Sequence, residues 1–302
     1  MALSAASSLK LDKILNMVIR QLALRLAPLT RFSHTFQTGD LALDKTVRVP
    51  VISLEQMASK DFDEDVGYED GDFDVTMQPV TVDRRKYQSL SFTSRELIGL
   101  PLDVLAEGMA QKTDRLAADI VTDILGLVTA ANFGDPIYTG GAAGFDSDEI
   151  VDIDEALTTL LWPSVGRALI LDNTYTTPLK KDQALKNASA SGSDMTLREG
   201  VVGRVSGFDL YDVPGFPANG ENLKGVAALQ SGILIANAPI APSSEVMSQL
   251  SDYRVVTDPK TNLTLTYKAW GDPNLDKGKR IVEVSYGCAK GDAQQIKRVT
   301  SA

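Results

Sequence analysis

The fold is decided by three stretches in one part of the chain: GDLALDKTVRVPVI (residues 39–52), DFDEDVGYEDGDFD (61–74) and VTMQPVTVDRRKYQSLSFTSREL (75–97). In the first stretch Val47, Val49 and Val51 alternate with other residue types, which is the period-two pattern of a β-strand. Val80 and Val82 repeat this pattern in the third stretch. The acidic stretch between them has few aliphatic residues, and an isolated two-stranded ribbon is only marginally stable in water. We therefore expect a long β-arm that lies on a partner, most simply another copy of the chain.

The composition of the 302 residues is that of an ordinary globular chain, with 43% hydrophobic and 23% charged residues. Acidic residues outnumber basic ones by 40 to 30, for a formal charge of −10. This balance argues against wrapping nucleic acid by neutralising its phosphates, although an acidic wall could still enclose nucleic acid. The single cysteine, Cys288, excludes an internal disulfide framework and is expected to be a small buried side chain in a strand.

The N-terminal region predicts a helix that docks on protein. No stretch approaches the roughly 18 uninterrupted apolar residues that a transmembrane helix requires. Basic residues punctuate the apolar N-terminus, whereas a signal peptide has an unbroken apolar core. The apolar residues follow helical spacing, so we expect an amphipathic helix over about residues 7–27 that ends at Pro28.

The longest helical pattern begins at Pro101, with apolar residues near one face and charged residues on much of the rest. If it continues to Ala131, this helix extends roughly 45 Å at about 1.5 Å per residue. Gly108 weakens it by on the order of 1 kcal/mol relative to alanine. A helix of this length suits a structural spine better than a compact enzyme core.

The second half of the chain begins after a glycine-rich stretch, YTGGAAGFDSD, with an α/β pattern. We expect a helix over Ile153–Leu161, a buried strand from Arg167 in RALILDN, and a helix or turn in TYTTPLKKD. Residues 189–203 are rich in serine and glycine, which predicts a mobile surface loop. From Val201 the chain is β-rich, and its last three runs, YRVVTD, LTLTYKAW and KRIVEVSYGCAK, are typical of neighbouring antiparallel strands.

The acidic stretch also suggests a weak candidate for calcium binding. Asp61, Asp63 and Asp65 have the spacing of the first EF-hand ligands, and Asp72 stands at the twelfth place. However, Val66 occupies the sixth place, where an EF-hand requires glycine, and the twelfth ligand would be aspartate instead of bidentate glutamate. A solvated acidic loop that meets a basic neighbour is the simpler interpretation, so we predict neither a metal nor another cofactor.

We assign the charges of the arm to a contact between subunits. The candidate interface residues are its acidic side chains and the basic residues of its limbs: Arg48, Asp61, Asp63, Glu64, Asp65, Glu69, Asp70, Arg84, Arg85 and Lys86. The basic triplet at residues 84–86 is too small and isolated to read nucleic acid. Because solvent-exposed ion pairs contribute only about 0–1 kcal/mol each, we expect them to fix the register of the contact.

The sequence offers little for catalysis. His34 is the sole histidine, which excludes a multi-histidine zinc site or a second-histidine relay within one chain. GDPNLDKGK (residues 271–279) lacks the spacing of a phosphate-binding loop and predicts a hairpin turn. Asp172, Asp182 and Asp212 could act as acid and base, but no specific pattern singles them out. We therefore predict that the protein is not an enzyme and has no catalytic residues.

The order of these elements resembles the major capsid proteins of tailed bacteriophages with the Hong Kong 97-type fold. Three stretches carry the resemblance: the arm, RALILDNTYTTPLKKD, and VVGRVSGFDLYDVPGFPANG followed by GVAALQSGILIANAPI. The likeness covers nearly the whole chain. It implies an α+β fold with an N-terminal arm containing an amphipathic helix (residues 1–35), an extended β-hairpin loop, or E-loop (36–98), a peripheral domain with a long spine helix plus β-strands (99–149 and 246–302), and an axial α/β domain (150–245).

The resemblance also implies a function as a structural protein. Such a chain self-assembles into the hexamers and pentamers of an icosahedral phage head that encloses double-stranded DNA without sequence-specific binding. Its expected partners are copies of itself, a scaffolding protein in the procapsid and a portal, with no membrane involved. It would assemble in the host bacterial cytoplasm and reside in the virion capsid. Some relatives form Lys–Asn crosslinks, but no matching pair aligns here, so none is predicted.

Other functions remain open from the sequence. An encapsulin-like nanocompartment shares the fold but encloses cargo enzymes instead of DNA. A cytoplasmic carboxylate or metal-dependent enzyme and an unrelated adhesin or tail protein belong to different classes. Terminase and portal genes nearby would favour a coat, whereas a cargo gene with a targeting tail would favour a compartment. A monomer or dimer with substrate-dependent activity would favour an enzyme.

Overall fold

The computed structural model describes residues 15–37, 46–52, 62, 64–65, 67–68, 75–93, 95–96, 102–186, 203–213 and 215–302. Within these ranges the chain has a mixed α+β fold, as predicted, and divides into two compact units. The first unit is drawn from Met1–Val47, Val80–Leu125 and Leu234–Ala289, and the second from Arg48–Pro79, Gly126–Ile233 and Lys290–Ala302. Each unit therefore combines three separate parts of the chain.

The described helices are α1 (residues 15–26), α2 (Leu29–Phe32), α3 (Leu102–Leu125), α4 (Ala130–Phe133), α5 (Ser147–Thr159), α6 (Asn173–Lys181), α7 (Gln183–Lys186) and α8 (Ser244–Gln249). The described strands are β1 (Ser33–Gln37), β2 (Thr46–Ile52), β3 (Val75–Thr81), β4 (Arg84–Thr93), β5 (Pro136–Thr139), β6 (Ala168–Asp172), β7 (Arg204–Val205), β8 (Phe208–Val213), β9 (Leu223–Ala228), β10 (Ile233–Asn237), β11 (Asp252–Thr257), β12 (Thr264–Asp272), β13 (Lys277–Lys290) and β14 (Ile296–Thr300). None of the helices in the described ranges is long and apolar enough to cross a membrane.

The first unit is built on a six-stranded sheet in which β13 is the central strand. The strand order is β1-β10-β13-β12-β11, and β4 also pairs with β13. β11, β12 and β13 are successive antiparallel neighbours, which confirms the prediction for the last three runs of the sequence. The predicted hairpin turn lies between β12 and β13. Helix α3 packs against β4.

Helix α3 is shorter than the predicted spine. It has 24 residues, which corresponds to about 36 Å at 1.5 Å per residue. The prediction that it continues to Ala131 is wrong because Gly126 follows Leu125 and a new helix, α4, begins four residues later. The side chain of Thr129 caps that helix by accepting a hydrogen bond from the backbone N–H of Asn132.

Helix α1 docks on α3 of the same chain, as expected for an amphipathic helix. Its predicted start near residue 7 lies outside the described residues. Arg25 Nε and Gln21 Nε2 both donate to Asp114 Oδ1 on α3, at 2.6 and 2.9 Å. The apolar face of α1 is buried and consists of Leu15, Val18, Leu22 and Leu26.

The second unit contains another six-stranded sheet, with the order β5-β14-β9-β6-β8-β7. β6 is parallel to β8 and antiparallel to β9, and it is the buried strand predicted in RALILDN. Side chains of α5 and α6 share one core cluster with Leu169, Leu171 and Phe208 of the sheet. The predicted loop at residues 189–203 lies almost entirely outside the described residues.

Helix α5 begins at Ser147, earlier than the predicted Ile153, because of a capping box, and it ends at Thr159 instead of the predicted Leu161. The Asp146 side chain accepts from the backbone N–H of Asp148 at 2.9 Å. The Glu149 side chain accepts from the backbone N–H of Asp146 at 3.0 Å. This reciprocal pairing satisfies amide groups that a helix start otherwise leaves unpaired. The sequence DSDE contained this signal, which the periodicity analysis missed.

Strands β2 and β3 of the predicted arm form a separate two-stranded sheet. Val49 and Val51 are buried in β2, whereas Arg48, Pro50 and Ile52 are exposed, which confirms the period-two prediction. The third stretch of the predicted arm, residues 75–97, is split between two sheets. Its strand β3 pairs with β2, whereas its strand β4 pairs with β13 in the sheet of the first unit.

Candidate subunit-interface residues

The tip of the arm presents an exposed aromatic pair. The rings of Phe62 and Tyr68 lie 4.7 Å apart between centroids, and their side chains are 58% and 93% exposed. Glu64 and Asp65, in the turn between them, are also exposed. Two adjacent aromatic side chains left in water forgo a large gain from burial, and tyrosine is enriched among the residues that dominate protein interfaces. The tip is therefore suited to contact another surface.

The remaining acidic candidates of the arm lie outside the described residues: Asp61, Asp63, Glu69, Asp70 and Asp72. Of the four weak calcium candidates, only Asp65 is described. Within the described ranges there is no group of three or more His, Cys, Asp or Glu side chains that could hold a metal ion.

Two residues of the basic triplet form an ion-pair cluster with α3. Arg84 Nη1 lies 2.8 Å from Asp123 Oδ2, and Lys86 Nζ lies 3.5 Å from Asp123 Oδ1. The Tyr286 hydroxyl donates to the same Asp123 Oδ2 at 2.7 Å. Lys86 also donates to the backbone carbonyl of Asp119 at 3.2 Å. The alternation along β4 directs these two cations to one face of the strand, where α3 packs.

The charges of this cluster change the acid–base behaviour of its members. Burial acts against the charged form of Asp123, but the Tyr286 hydroxyl and the cations of Arg84 and Lys86 outweigh it and lower the pKa of Asp123. Burial, followed by the nearby Asp123 carboxylate, raises the pKa of Tyr286. Burial raises the pKa of the Cys288 thiol to about 11, which keeps it protonated. Cys288 lies in strand β13, as predicted, but its side chain is half-buried instead of fully buried.

We expect Asp123→Asn to lower the free energy of unfolding by about 1–2 kcal/mol at pH 7, because two cations lose their counter-charge. The folded pKa of Asp123 is lowered, so its contribution is complete above about pH 4 and is lost as the pH falls through the folded value. Urea unfolding at pH 7 and pH 3 should therefore show a difference from wild type that shrinks in acid. Asp83→Asn is the control, because its 3.8 Å pair with Arg84 is more exposed. A constant difference at both pH values would contradict the assignment.

The third basic residue, Arg85, points to the opposite face of β4. Its Nη2 and Nε lie 2.7 and 3.1 Å from Oε2 of Glu283, and Lys268 Nζ pairs with Oε1 of the same carboxylate. Glu283 and Lys268 are buried, whereas the side chain of Arg85 is 44% exposed. Tyr87, two residues along the strand, is 60% exposed. Arg84, Arg85 and Lys86 thus have partners in their own chain, and their role between subunits stays a prediction.

A buried arginine that the sequence analysis did not single out organises the loop after α5. Arg167 is 1% exposed. Its Nη2 and Nε donate to the backbone carbonyls of Trp162 at 2.6 Å and Pro163 at 2.8 Å. Its Nη1 bonds to the side chain of Thr158 at 3.1 Å and pairs with the carboxylate of Asp154. The guanidinium thereby ties the end of α5 to the loop that follows it.

Comparisons with known proteins were informative only at the level of structure. No family model and no curated protein sequence matches the chain. A chain from the mature capsid of bacteriophage PhiM1 is similar with a TM-score of 0.57 and 14% identity, over 91% of this chain and 86% of that one. A virus-like particle from Pyrococcus furiosus is similar with a TM-score of 0.54 and 13% identity, over 95% of this chain and 98% of that one. A chain from the capsid of a native GTA particle is similar with a TM-score of 0.54 and 16% identity, over 93% of this chain and 90% of that one. The chain therefore has the α+β fold of the Hong Kong 97-type capsid proteins.

Proposed function

We propose that this chain is the major capsid protein of a tailed bacteriophage, which assembles as hexamers and pentamers into an icosahedral head around double-stranded DNA. The observation that carries the proposal is the extent of the structural likeness to capsid chains, which spans 91% of this chain for the PhiM1 capsid. A fold alone can serve several functions. Here the absence of a sequence pattern for catalysis and the exposed aromatic arm tip both favour a building block over an enzyme.

The arm gives the proposal its physical basis. Its tip exposes Phe62 and Tyr68, and the sequence of residues 61–74 is acidic without a basic residue. The arm can bury such a tip on a neighbouring copy, and a contact of one surface with a different surface of the next copy forms a ring when its rotation closes. In this role residues 36–98 act as the E-loop, with the candidate acidic and basic residues fixing the register of the contact.

The remaining parts of the chain take the roles that the fold suggests. Residues 99–149 and 246–302 would form the peripheral domain, residues 150–245 the axial domain and residues 1–35 the N-terminal arm. A scaffolding protein and a portal would be partners during assembly in the host bacterial cytoplasm. The formal charge of −10 suits a wall that must enclose DNA without trapping it.

An encapsulin-like compartment shell is the second candidate. It is favoured by the likeness to the virus-like particle from Pyrococcus furiosus, which covers 95% of this chain and 98% of that one. Both candidates are shells, and their contents distinguish them. Nuclease-protected double-stranded DNA in particles from infected cells would support the capsid, and a protein cargo would support the compartment.

Negative-stain electron microscopy of the full-length protein tests the shell directly, alone and with a scaffolding protein expressed beside it. Closed particles of uniform size are the expected result. A monodisperse monomer or dimer under every condition, with activity toward a substrate, would refute both shell functions.

We expect deletion of residues 54–73, bridged by a short Gly-Ser linker, to leave a soluble subunit that no longer forms normal shells. The cut removes only residues between β2 and β3, whose ends are Ile52 and Val75, so the two-stranded sheet can still form. A variant with a Gly-Ser segment of the original length separates loss of the tip from shortening of the arm. Circular dichroism shows whether the subunit is folded, and electron microscopy shows whether it forms shells. Intact shells of unchanged stability would contradict the role of the arm.

A further inference from the structure

The connection between β8 and β9 contains the one asparagine in the sequence that is followed by glycine. Asn219 and Gly220 are both exposed, and they belong to no helix or strand. Every other asparagine is followed by a residue with a side chain. The side-chain amide of an asparagine can react with the backbone nitrogen of the next residue, and a side chain on that residue obstructs the approach. The sequence therefore singles out Asn219 for this reaction.

The backbone of Gly220 leaves room for the reaction. Its φ is +79°, in the left-handed region that favours glycine. A β-carbon built at Gly220 would meet nothing within 4 Å, so no described atom crowds this position. Because glycine has the greatest backbone freedom of any residue, the turn can adjust to bring the Gly220 nitrogen onto Cγ of Asn219.

A hydrogen bond of the turn also favours the reaction. The backbone N–H of Glu221 donates to Oδ1 of Asn219, at 3.2 Å between nitrogen and oxygen. This Asx-turn folds the side-chain amide back over the peptide group that carries the Gly220 nitrogen, so the reacting groups are held near each other. Oδ1 is the atom that gains negative charge when a nucleophile adds to Cγ. A donor already directed at that oxygen stabilises the charge as it develops.

We propose that Asn219 is a site of spontaneous deamidation whose isoaspartate product opens the ion pair between Glu221 and Arg298. The Gly220 nitrogen forms a bond to Cγ of Asn219, and the bond from Cγ to the side-chain nitrogen breaks. That nitrogen leaves as ammonia, with the proton that Gly220 loses. Water then opens the resulting succinimide ring. Attack at Cγ gives aspartate, whereas attack at the backbone carbonyl carbon gives isoaspartate, whose main chain is longer by one methylene.

The residue after this pair connects three parts of the second unit. Glu221 Oε2 lies 2.7 Å from Arg298 Nη2 on β14, and it accepts from the backbone N–H of Ala130, the first residue of α4, at 3.0 Å. Arg298 is 4% exposed, and its Nη1 donates to the carbonyl of Gly134 at 2.9 Å. Its Nε has no hydrogen-bond partner among the described residues. Removing one member of a buried ion pair leaves an uncompensated charge, which is strongly destabilising.

The two products therefore differ in their effect. Isoaspartate lengthens the main chain two residues before Glu221, which displaces that carboxylate from Arg298 and from α4. Aspartate keeps the original main chain and an oxygen that can accept from the Glu221 N–H, so the ion pair stays in place. The inference goes beyond the proposed shell function and does not rest on it.

The reaction itself is tested on the full-length wild type, kept in warm, mildly alkaline buffer. Peptide mapping by mass spectrometry detects the gain of one dalton at each asparagine, and labelling by an isoaspartyl methyltransferase identifies isoaspartate. Asn274 is the internal control, since it is also exposed in a turn but is followed by Leu275. We expect deamidation at Asn219 to be at least tenfold faster than at Asn274. Equal rates at the two positions would overturn the site.

The effect on the ion pair is tested with two variants. Asn219→Gln blocks the reaction, because its longer side chain would have to close a larger and less favourable ring. We expect ageing to lower the melting temperature of the wild type by about 3 °C or more and to leave that of Asn219→Gln unchanged. Glu221→Gln already lacks the ion pair, so ageing should lower its melting temperature by less than half as much as in the wild type. An unchanged melting temperature of the isoaspartate form, or equal falls in the wild type and Glu221→Gln, would overturn the link to Arg298.

Discussion

Gly287→Ala is expected to destabilise the first unit by about 3–5 kcal/mol or to abolish its folding, as severe overpacking does. A β-carbon on Gly287 would lie 1.7 Å from the carbonyl oxygen of Thr81 and 2.9 Å from the α-carbon of Val82. Both clashes are with backbone, so no side-chain rotation can relieve them. Strand β4 pairs with β13 as far as Tyr286, the residue before Gly287, which limits how far this part of β13 can shift to make room.

A matched control exists on the same strand. A β-carbon on Gly278 would meet nothing within 4 Å, so Gly278→Ala should change the free energy of unfolding by less than about 0.5 kcal/mol. Urea unfolding gives the size of the effect, and hydrogen exchange shows whether protection is lost along β13 and β4. A Gly287→Ala protein as stable as the control would show that β13 does not approach Thr81 this closely.

The position of this contact connects stability with assembly. Thr81 is the last residue of β3, and Val82 leads the chain from the two-stranded sheet into β4. Gly287 therefore permits β13 to lie against the junction from which the proposed arm leaves the first unit. The sequence KRIVEVSYGCAK predicts a strand here, but nothing around its one glycine indicates the segment that it faces, which lies more than 200 residues earlier in the chain.

Local patterns explain which parts of the fold were predictable from the sequence. The alternation in β2, the buried run in β6 and the helical spacing in α1 depend on neighbours in the chain, and each prediction was confirmed. The end of α3 depends on Gly126 and on the cap at Thr129, a short-range signal that the apolar periodicity concealed. The capping box of α5 was missed for the same reason.

The candidate site was harder to predict because its ion pairs join distant parts of the chain. Arg85 and Glu283 are 198 positions apart, and only the pairing of β4 with β13 brings them together. Because the sequence does not reveal which strands pair, it indicates no partner in the same chain for the basic triplet at residues 84–86, and we assigned the triplet to a contact with a neighbouring subunit. Leu161 has a left-handed φ of 60° in the turn after α5, where glycine is the usual residue, so the local sequence contains no sign of this turn.

Arg167→Met is expected to lower the free energy of unfolding of the second unit by about 2–4 kcal/mol, because buried acceptors lose their donor. The carbonyls of Trp162 and Pro163 and the carboxylate of Asp154 would all be deprived of the guanidinium. Asp154 is 35% exposed and can be rehydrated, which places the effect below that of a fully buried ion pair. Lysine at this position would keep the charge but not the planar fork, so Arg167→Lys should recover only part of the loss.

The measurement can be confined to one unit, because the protein has two tryptophans, Trp162 in the second unit and Trp270 in the first. In a Trp270→Phe background, the emission of Trp162 reports unfolding around the loop. Arg204→Met is the control, since Arg204 is 61% exposed and its closest ion-pair distance, to Asp209, is 3.9 Å. We expect a change below about 0.5 kcal/mol there. Equal effects of the two substitutions would refute the positioning role of Arg167.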